Sequence, residues 1–189
     1  MQSALSNRPE PGIHNASDLE RLFAETFYRR HKTILLGGAD EPFYQPADRP
    51  SDDNRLYYRE DYFASALHEI SHWCIAGEAR RRLPDFGYWY APEGRDVGQQ
   101  QKFEQVEVKP QALEWIFSKA CGYPFRLSRD NFSGEAGVSG CFAESVRRAA
   151  QAWCRGAIPP RAIVFIGKLT AFYQTPNPLG PECYRHRPQ

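Results

Sequence analysis

The sequence lacks the features that mark membrane-spanning and secreted chains. Within its 189 residues, no apolar run approaches the roughly 18 residues of a membrane-spanning helix. The first residues contain no apolar stretch of the kind found in a signal peptide. The formal net charge of only +1 provides no general attraction to nucleic acid or to a membrane surface. We therefore expect a cytoplasmic protein whose partner is neither a membrane nor a nucleic acid.

Cysteines are few, and their number and spacing do not indicate disulfide bonds or a metal-binding pair. The five cysteines are odd in number, and no two of them form a Cys-x-x-Cys motif. This disfavours both a disulfide framework and a cysteine-type zinc site, and reduced thiols fit a cytoplasmic protein. Cys74 lies two residues after His72, so on a helix it points away from that histidine. We expect Cys74 to pack in the core.

The length and composition predict a single α+β domain over residues 1–189. Hydrophobic residues make up 41% of the chain, enough for a substantial core. Residues 1–16 are polar and contain proline and glycine, which predicts a loose arm, and the proline-rich residues 175–189 predict an irregular tail. Between them, helical patterns outnumber β-prone stretches. This predicts several helices with a small mixed sheet.

Apolar periodicity and capping residues define the predicted elements. We predict helices from near Ser17, over about 60–76, 99–108, 141–154 and 160–173, and strands at about 33–36 and 55–59. Residues 38–53 are predicted to be a loop, and Gly77 is predicted to be the C-cap of the helix over 60–76. Pro110 either kinks the helix over 99–108 or begins a further helix that ends at Gly122.

The most informative motif is His-Glu-Ile-Ser-His at residues 68–72. It falls in a predicted helix, where residues four apart lie on the same face one turn apart. His68 and His72 can therefore bind one divalent metal ion without distorting the backbone. Glu69 is a candidate catalytic residue, as a base or as a hydrogen-bond partner of a ligand. The alternative is a coincidence on an amphipathic helix, and we favour the metal site.

The third ligand has two candidates among the carboxylates. Glu107 lies in a separate segment between Val106 and Val108, and a carboxylate buried among valines needs a cation partner such as a metal. Glu78 follows His72 by six residues, which on an unbroken helix turns it away from the metal face. It could bind only if Gly77 ended the helix and turned the chain back. We predict Glu107 as the ligand and keep Glu78 as the alternative.

These three ligands alone leave several functions open. Two histidines and one carboxylate suit a non-haem iron enzyme and equally a zinc-dependent hydrolase, a peptidase or a nuclease, with Glu69 as general base. A structural metal in a non-enzymatic module is disfavoured because such sites are usually closed by four ligands. No His-x-Asp pattern is present, so the sequence does not indicate a 2-oxoglutarate-dependent site.

Several longer stretches, occurring in one order, resemble the bacterial elongation factor P hydroxylase family. The resemblance is dense over about residues 35–135 and looser in the C-terminal helices. The stretches that carry it are Asp40-Glu-Pro42, Pro46-Ala-Asp48, Ala64 to Gly77 around the motif, Asp85-Phe-Gly-Tyr-Trp-Tyr90, Gly94-Arg-Asp96, Val106-Glu-Val-Lys-Pro-Gln-Ala-Leu113 and Gly122-Tyr-Pro-Phe125.

The resemblance implies a metal-dependent hydroxylase, with Fe(II) as the favoured metal. It implies elongation factor P as the protein substrate, modified on a lysine already extended with a β-lysyl group. It also implies a fold similar to the metal-dependent endoribonucleases of ribosomal RNA maturation. His68 and His72 match the family's motif, and Glu107 matches the glutamate of its Val-Glu-Val-Lys stretch.

A long cationic substrate would need acceptors for its ammonium groups near the metal. The candidate acceptors are loop carboxylates, namely Asp40, Glu41, Glu93 and Asp96. The aromatic run Tyr88-Trp89-Tyr90 is a candidate wall for a cationic side chain, although core packing is the explanation that we favour. The run Arg80-Arg81-Arg82 could steer an acidic protein partner, with a solvated surface as the alternative.

Overall fold

The computed structural model describes residues 13–87, 97–127, 140–156 and 158–188, with side chains from residue 104 onward in the second range. The described residues form five helices, three strands and three short 3-10 turns. The helices are α1 (Ala16–Phe23, continued by a π-helical turn Ala24–Tyr28 and a last turn Arg29–His31), α2 (Phe63–Ile75), α3 (Val97–Cys121), α4 (Gly140–Cys154) and α5 (Pro160–Tyr173). The strands are β1 (Thr33–Ala39), β2 (Phe43–Gln45) and β3 (Asn54–Arg59), and the 3-10 turns are Arg80–Arg82, Pro84–Gly87 and Pro181–Tyr184.

The three strands form one small mixed sheet in the order β1-β3-β2. β1 runs parallel to β3 and β2 antiparallel to it. The predicted α+β class with a small mixed sheet is therefore confirmed. The predicted loop over residues 38–53 is wrong in two respects, since β1 extends to Ala39 and β2 lies within the loop. Tyr44 explains the strand, because its side chain is buried and its ring stacks on Phe86 at 4.4 Å.

The motif helix α2 packs against both α3 and β3. It is shorter than predicted, beginning at Phe63 and ending at Ile75. Glu60 has a positive φ of 45° and Tyr62 is extended, so the helix cannot begin earlier. The chain leaves the helix at Ala76, where ψ is 121°. The prediction of Gly77 as the C-cap is therefore wrong.

Helix α3 passes through Pro110 without ending. Of the two predicted alternatives, the separate helix beginning at this proline is therefore wrong. Proline inside a helix loses one backbone hydrogen bond, and here packing of the following turns against α2, α4 and α5 keeps the helix continuous. Gly122, with a φ of 67°, ends it as predicted.

One core joins the helices to the sheet. Its fully buried side chains come from α1, β3 and every later helix, and they include Leu19, Leu56, Leu67, Ile70, Trp73, Phe117, Val146 and Phe165. Cys74 belongs to this core, as predicted, and burial raises the pKa of its thiol to about 12. None of the helices within the described ranges is both long and apolar enough to cross a membrane.

Both ends of the described chain contact this body. His14 donates a hydrogen bond from Nε2 to the carbonyl of Cys121 (2.9 Å), and its ring stacks on that of Tyr173. In the tail, Tyr184 is fully buried and meets the Trp115 ring edge-on at 4.8 Å. The last residues of the predicted arm and part of the predicted tail therefore pack on the domain.

Arg161 of α5 ties the C-terminal end of the motif helix to the rest of the core. Its guanidinium donates hydrogen bonds to the carbonyls of Trp73, Cys74 and Ala76 and lies over the Trp73 ring at 4.6 Å. The last carbonyls of a helix have no partner within the helix. Arg161 supplies a hydrogen-bond donor for these carbonyls, and its positive charge is favourable at the C-terminal end of the helix.

Replacing Arg161 with Ala is expected to lower the free energy of unfolding by about 2–3 kcal/mol, because buried carbonyls lose a charged donor. Urea denaturation followed by circular dichroism measures the change. Arg148→Ala is the control, because Arg148 is 75% exposed and makes a surface ion pair with Glu144, and we expect little change from it. Equal stability of Arg161→Ala and the wild type would contradict the anchoring role.

Candidate metal centre

Helix α2 presents His68 and His72 side by side on one face. Their Nε2 atoms lie 3.1 Å apart, as expected for residues one turn apart. The opposite side of the helix carries the fully buried Leu67, Ile70 and Trp73. Burial of these residues fixes the rotation of α2 and therefore the direction in which the two imidazoles point.

Glu107 reaches the two histidines from α3. Its Oε2 lies 3.4 Å from His68 Nε2, and its Oε1 lies 3.4 Å from His72 Nε2. The Glu107 side chain is only 6% exposed, compared with 21% for His68 and 13% for His72. The structure thus brings together the three residues that the sequence predicted as ligands, with the carboxylate buried more deeply than the two imidazoles.

The arrangement fits one metal ion. The three side chains each offer one ligand atom, and these atoms all lie within 4.8 Å of one another. Ligand atoms about 2.1 Å from a metal are about 3.0 Å apart at right angles and about 3.4 Å apart in a tetrahedron. The 3.1 Å between the two nitrogens falls in this range, and each oxygen of Glu107 lies 3.4 Å from one of them. Two nitrogens and one carboxylate leave further positions on the metal for substrate or dioxygen.

The charges in the cluster favour a cation. Burial alone would raise the pKa of Glu107, but the neighbouring His72 and His68 hold it well below the ordinary value for a glutamate. Burial disfavours a charged His68, yet hydrogen bonds with Glu107 and Glu114 raise its pKa well above the ordinary value for a histidine. In the metal-free protein, positive charge is thus held at the position that a metal ion would occupy.

Glu114 is a member of this cluster that the sequence analysis missed. Its Oε2 lies 2.8 Å from Nδ1 of His68, on the opposite side of the ring from Glu107. Its side chain is buried, and burial raises its pKa against the opposing effect of His68. Two features of the sequence pointed to it. It follows Glu107 by seven residues, which places both on one helix face, and it interrupts the apolar run from Ala112 to Phe117.

Glu69 and Asp85 lie beside the cluster without joining it. Burial raises the pKa of Glu69, whose charged neighbours are His68, His72, Glu107 and Asp85. Asp85 is held by a hydrogen bond from the Tyr44 amide (2.7 Å). Burial also raises the pKa of Asp85. Asp85 begins one of the stretches that carry the family resemblance, but its spacing did not mark it as a site residue, and the fold places it here.

An unusual backbone segment places Asp85 next to the cluster. Asp85 and Phe86 both have positive φ, 46° and 57°. This conformation is costly for residues other than glycine. The segment is held by stacking of Phe86 on Tyr44 and by a hydrogen bond from Arg80 to the Phe86 carbonyl. As a result, the Phe86 ring lies parallel to the His72 ring at 6.5 Å.

The alternative third ligand, Glu78, is not part of the cluster. Its side chain is 76% exposed and pairs with Arg82. Of the predicted acceptors for a cationic substrate, Asp40 and Glu41 are exposed. Glu93, Asp96 and the run Tyr88-Trp89-Tyr90 lie outside the described residues.

The three arginines Arg80, Arg81 and Arg82 are only partly a solvated surface. Arg81 is half-buried and donates a hydrogen bond to the Ala76 carbonyl at the end of α2. Arg80 holds the Phe86 carbonyl, and Arg82 pairs with Glu78. Within the described chain this run therefore braces the motif helix and the Asp85 segment, and its role in docking stays a prediction.

Comparisons with known proteins identify the family. The family model described as EpmC, elongation factor P hydroxylase, matches residues 22–183, a span that contains the whole cluster. A protein of Haemophilus influenzae named elongation factor P lysine hydroxylase is 41% identical over 166 residues, which cover 88% of this chain and 93% of the relative. The resemblance seen in the sequence is therefore confirmed, and the chain belongs to the elongation factor P hydroxylase family.

Proposed function

We propose that this enzyme hydroxylates the lysine of elongation factor P at a single metal ion held by His68, His72 and Glu107. Family membership carries the reaction and the protein substrate. The observation that carries the site is the meeting of two imidazole nitrogens and a buried carboxylate within 4.8 Å. The rest of the proposal concerns the identity of the metal, the form of the lysine and the roles of the surrounding carboxylates.

Iron(II) is the metal that best fits this reaction and donor set. Hydroxylation of an unactivated carbon requires redox chemistry, which zinc lacks. Two histidines and a carboxylate on one face are the ligand set of non-haem iron oxygenases, and iron so bound supplies dioxygen activation. The zinc hydrolase that the ligands alone allowed is disfavoured by the family.

The substrate lysine is proposed to carry its β-lysyl extension. Glu69 and Asp85 support this, because both lie beside the cluster and, in the described part of the chain, neither interacts with a lysine or an arginine. Carboxylates in this position favour an entering side chain that carries ammonium groups. The Phe86 ring, parallel to His72, adds an apolar wall for the methylene stem of such a side chain.

Glu69 is the proposed acid–base group of the site. It adjoins His68 on α2, and burial raises its pKa above the ordinary value for a glutamate, which favours a carboxyl group that can hold a proton. The proposal also includes the overall organisation of the protein. We propose one domain over residues 1–189, a fold shared with the metal-dependent endoribonucleases of ribosomal RNA maturation, and a cytoplasmic location.

Mass spectrometry of elongation factor P tests this function. Purified protein stripped of metal is reconstituted with Fe(II) under anaerobic conditions, then mixed with β-lysylated elongation factor P, dioxygen and a reductant. We expect the factor to gain the mass of one oxygen atom on the modified lysine. Zn²⁺-loaded protein is the control and is expected to give no gain. A gain with zinc, or none with iron, would contradict the iron assignment.

Metal binding is expected to release protons and to strengthen as the pH rises. The raised pKa of His68 means that metal-free protein still carries a proton on this ring above the ordinary pKa of histidine. A metal at Nε2 must displace that proton, so the affinity rises with pH up to the raised pKa and levels off above it. Below it, about one proton leaves per metal bound.

Titration calorimetry of Mn²⁺ binding in two buffers with different ionisation enthalpies counts the released protons. The same measurement at several pH values gives the profile of affinity. Binding without proton release across the range, or an affinity that falls as the pH rises, would contradict a metal bound at His68.

A further inference from the structure

We propose that Glu114 is a positioning residue of the metal centre, which holds the His68 imidazole with Nδ1 protonated and Nε2 free to bind the metal. The inference rests on the proposed metal centre. In this role Glu114 touches neither metal nor substrate, but it determines which nitrogen of His68 is available to the metal.

The contact favours one tautomer of His68. The 2.8 Å separation between Glu114 Oε2 and His68 Nδ1 is short for a hydrogen bond between side chains. Glu114 as an ionised carboxylate can only accept, and the proposed arrangement therefore places the hydrogen on Nδ1. In the neutral ring this leaves the lone pair on Nε2, the atom that faces Glu107 and His72. A carboxylate in this position also raises the basicity of the ligand nitrogen.

Helix α3 carries both the proposed ligand Glu107 and Glu114, the residue that orients the other ligand His68. Glu107 and Glu114 are seven residues apart on α3, or about 10.5 Å along the helix axis. They approach the two opposite nitrogens of His68, at 3.4 Å and 2.8 Å. The ring is therefore held between two carboxylates of α3, and any movement of α3 against α2 would change both contacts together.

The competing explanation is that Glu114 only ties α3 to α2 through a buried ion pair. A purely structural pair would affect the stability of the fold, because removal of one partner leaves the other buried without compensation. It would leave the affinity of the folded protein for metal unchanged. A positioning role predicts a loss of metal affinity in variants that remain folded.

Two variants of Glu114 and one control separate these explanations. Glu114→Ala removes the acceptor. Glu114→Gln has nearly the same shape, and its amide oxygen can still accept the Nδ1 hydrogen, so it stays informative if the alanine variant unfolds. Glu20→Gln is the matched control. Glu20 is a half-buried carboxylate that accepts hydrogen bonds from Tyr58 and from the Gly37 amide on the sheet.

The readout is the binding of Co²⁺ to metal-free protein, measured by competition with a chromogenic chelator. The visible absorption of the bound Co²⁺ is recorded as a signature of its ligand geometry, and circular dichroism confirms the fold. We expect Glu114→Ala to weaken binding by about 10–100-fold and to alter the absorption, which is the usual effect of losing the partner of a metal-bound histidine. We expect Glu114→Gln to lose less and Glu20→Gln to bind as the wild type does.

The outcomes separate this inference from the proposed function. Folded Glu114 variants that bind Co²⁺ as tightly as the wild type, with unchanged absorption, would overturn the positioning role and leave the metal centre standing. A wild-type protein that binds no Co²⁺ would overturn the metal centre and the role of Glu114 with it. An equal loss in Glu20→Gln would show a general effect of removing carboxylates and would also overturn the inference.

Discussion

Replacement of His72 with Ala is expected to abolish hydroxylation of elongation factor P while the protein remains folded. His72 supplies one of the two imidazole nitrogens of the cluster, and its loss leaves only one nitrogen and one carboxylate for the metal. Loss of a partner of a metal ligand typically costs about 10–100-fold in affinity or activity, so loss of a ligand itself is expected to cost more. His68→Ala should behave in the same way.

The fold is expected to survive because neither histidine belongs to the hydrophobic core. Activity is measured by mass spectrometry of the factor, metal content by elemental analysis, and folding by circular dichroism. His186→Ala is the control, because His186 is exposed. Near-normal turnover by either folded variant of His68 or His72 would show that the cluster is not the reactive centre.

The third ligand can be tested with a matched pair of carboxylate variants. Glu107→Gln keeps the shape of a buried side chain that lies 3.4 Å from both histidines but removes its charge. Glu78→Gln makes the same chemical change at an exposed surface position. Loss of metal and activity is expected in the first variant only.

The enzyme is expected to prefer β-lysylated elongation factor P to the unmodified factor by a large ratio. Carboxylates that await an ammonium group are left unpaired when that group is missing, and this costs more than losing an apolar contact. Sites built to hold a polar group can discriminate on the order of 10⁴-fold against substrates that lack it. Glu69 and Asp85, which lie beside the cluster, are the proposed acceptors for this group.

This preference is measured by following the gain of one oxygen atom on the factor with and without prior β-lysylation. The ratio of kcat/KM values for the two forms gives the discrimination. Asp85→Asn is expected to reduce the ratio while metal binding is retained, because Asp85 lies outside the group of clustered ligands. Equal rates on the two forms would contradict recognition of the extension.

The sequence predicted the meeting of His68, His72 and Glu107 better than it predicted several of the surrounding elements. The spacing of His68 and His72 is a local property of a helix, so it could be recognised without a structure. Glu107 was chosen because a carboxylate between valines needs a cation, and the fold places it against the two histidines. Glu114 obeys the same logic, but a carboxylate in an apolar run does not reveal which group it will meet.

The elements that could not be predicted depend on contacts between distant residues. β2 is only three residues long and is stabilised by pairing with β3 and by the stack of Tyr44 on Phe86. The left-handed conformation of Asp85 and Phe86 is contrary to their local preference, and contacts from Tyr44 and Arg80 maintain it. Packing likewise carries α3 through Pro110 against the tendency of proline to end a helix.

Diffraction from crystals of the Fe(II)-loaded protein, with anomalous data collected at the iron edge, tests the metal centre most directly. We expect one anomalous peak, with Nε2 of His68, Nε2 of His72 and a carboxylate oxygen of Glu107 each about 2.0–2.4 Å from it. No fourth protein ligand should reach the metal, because the reaction needs open positions. A peak elsewhere, a peak with Glu107 distant or replaced by Glu78, or a metal closed by four protein ligands would contradict the centre described above.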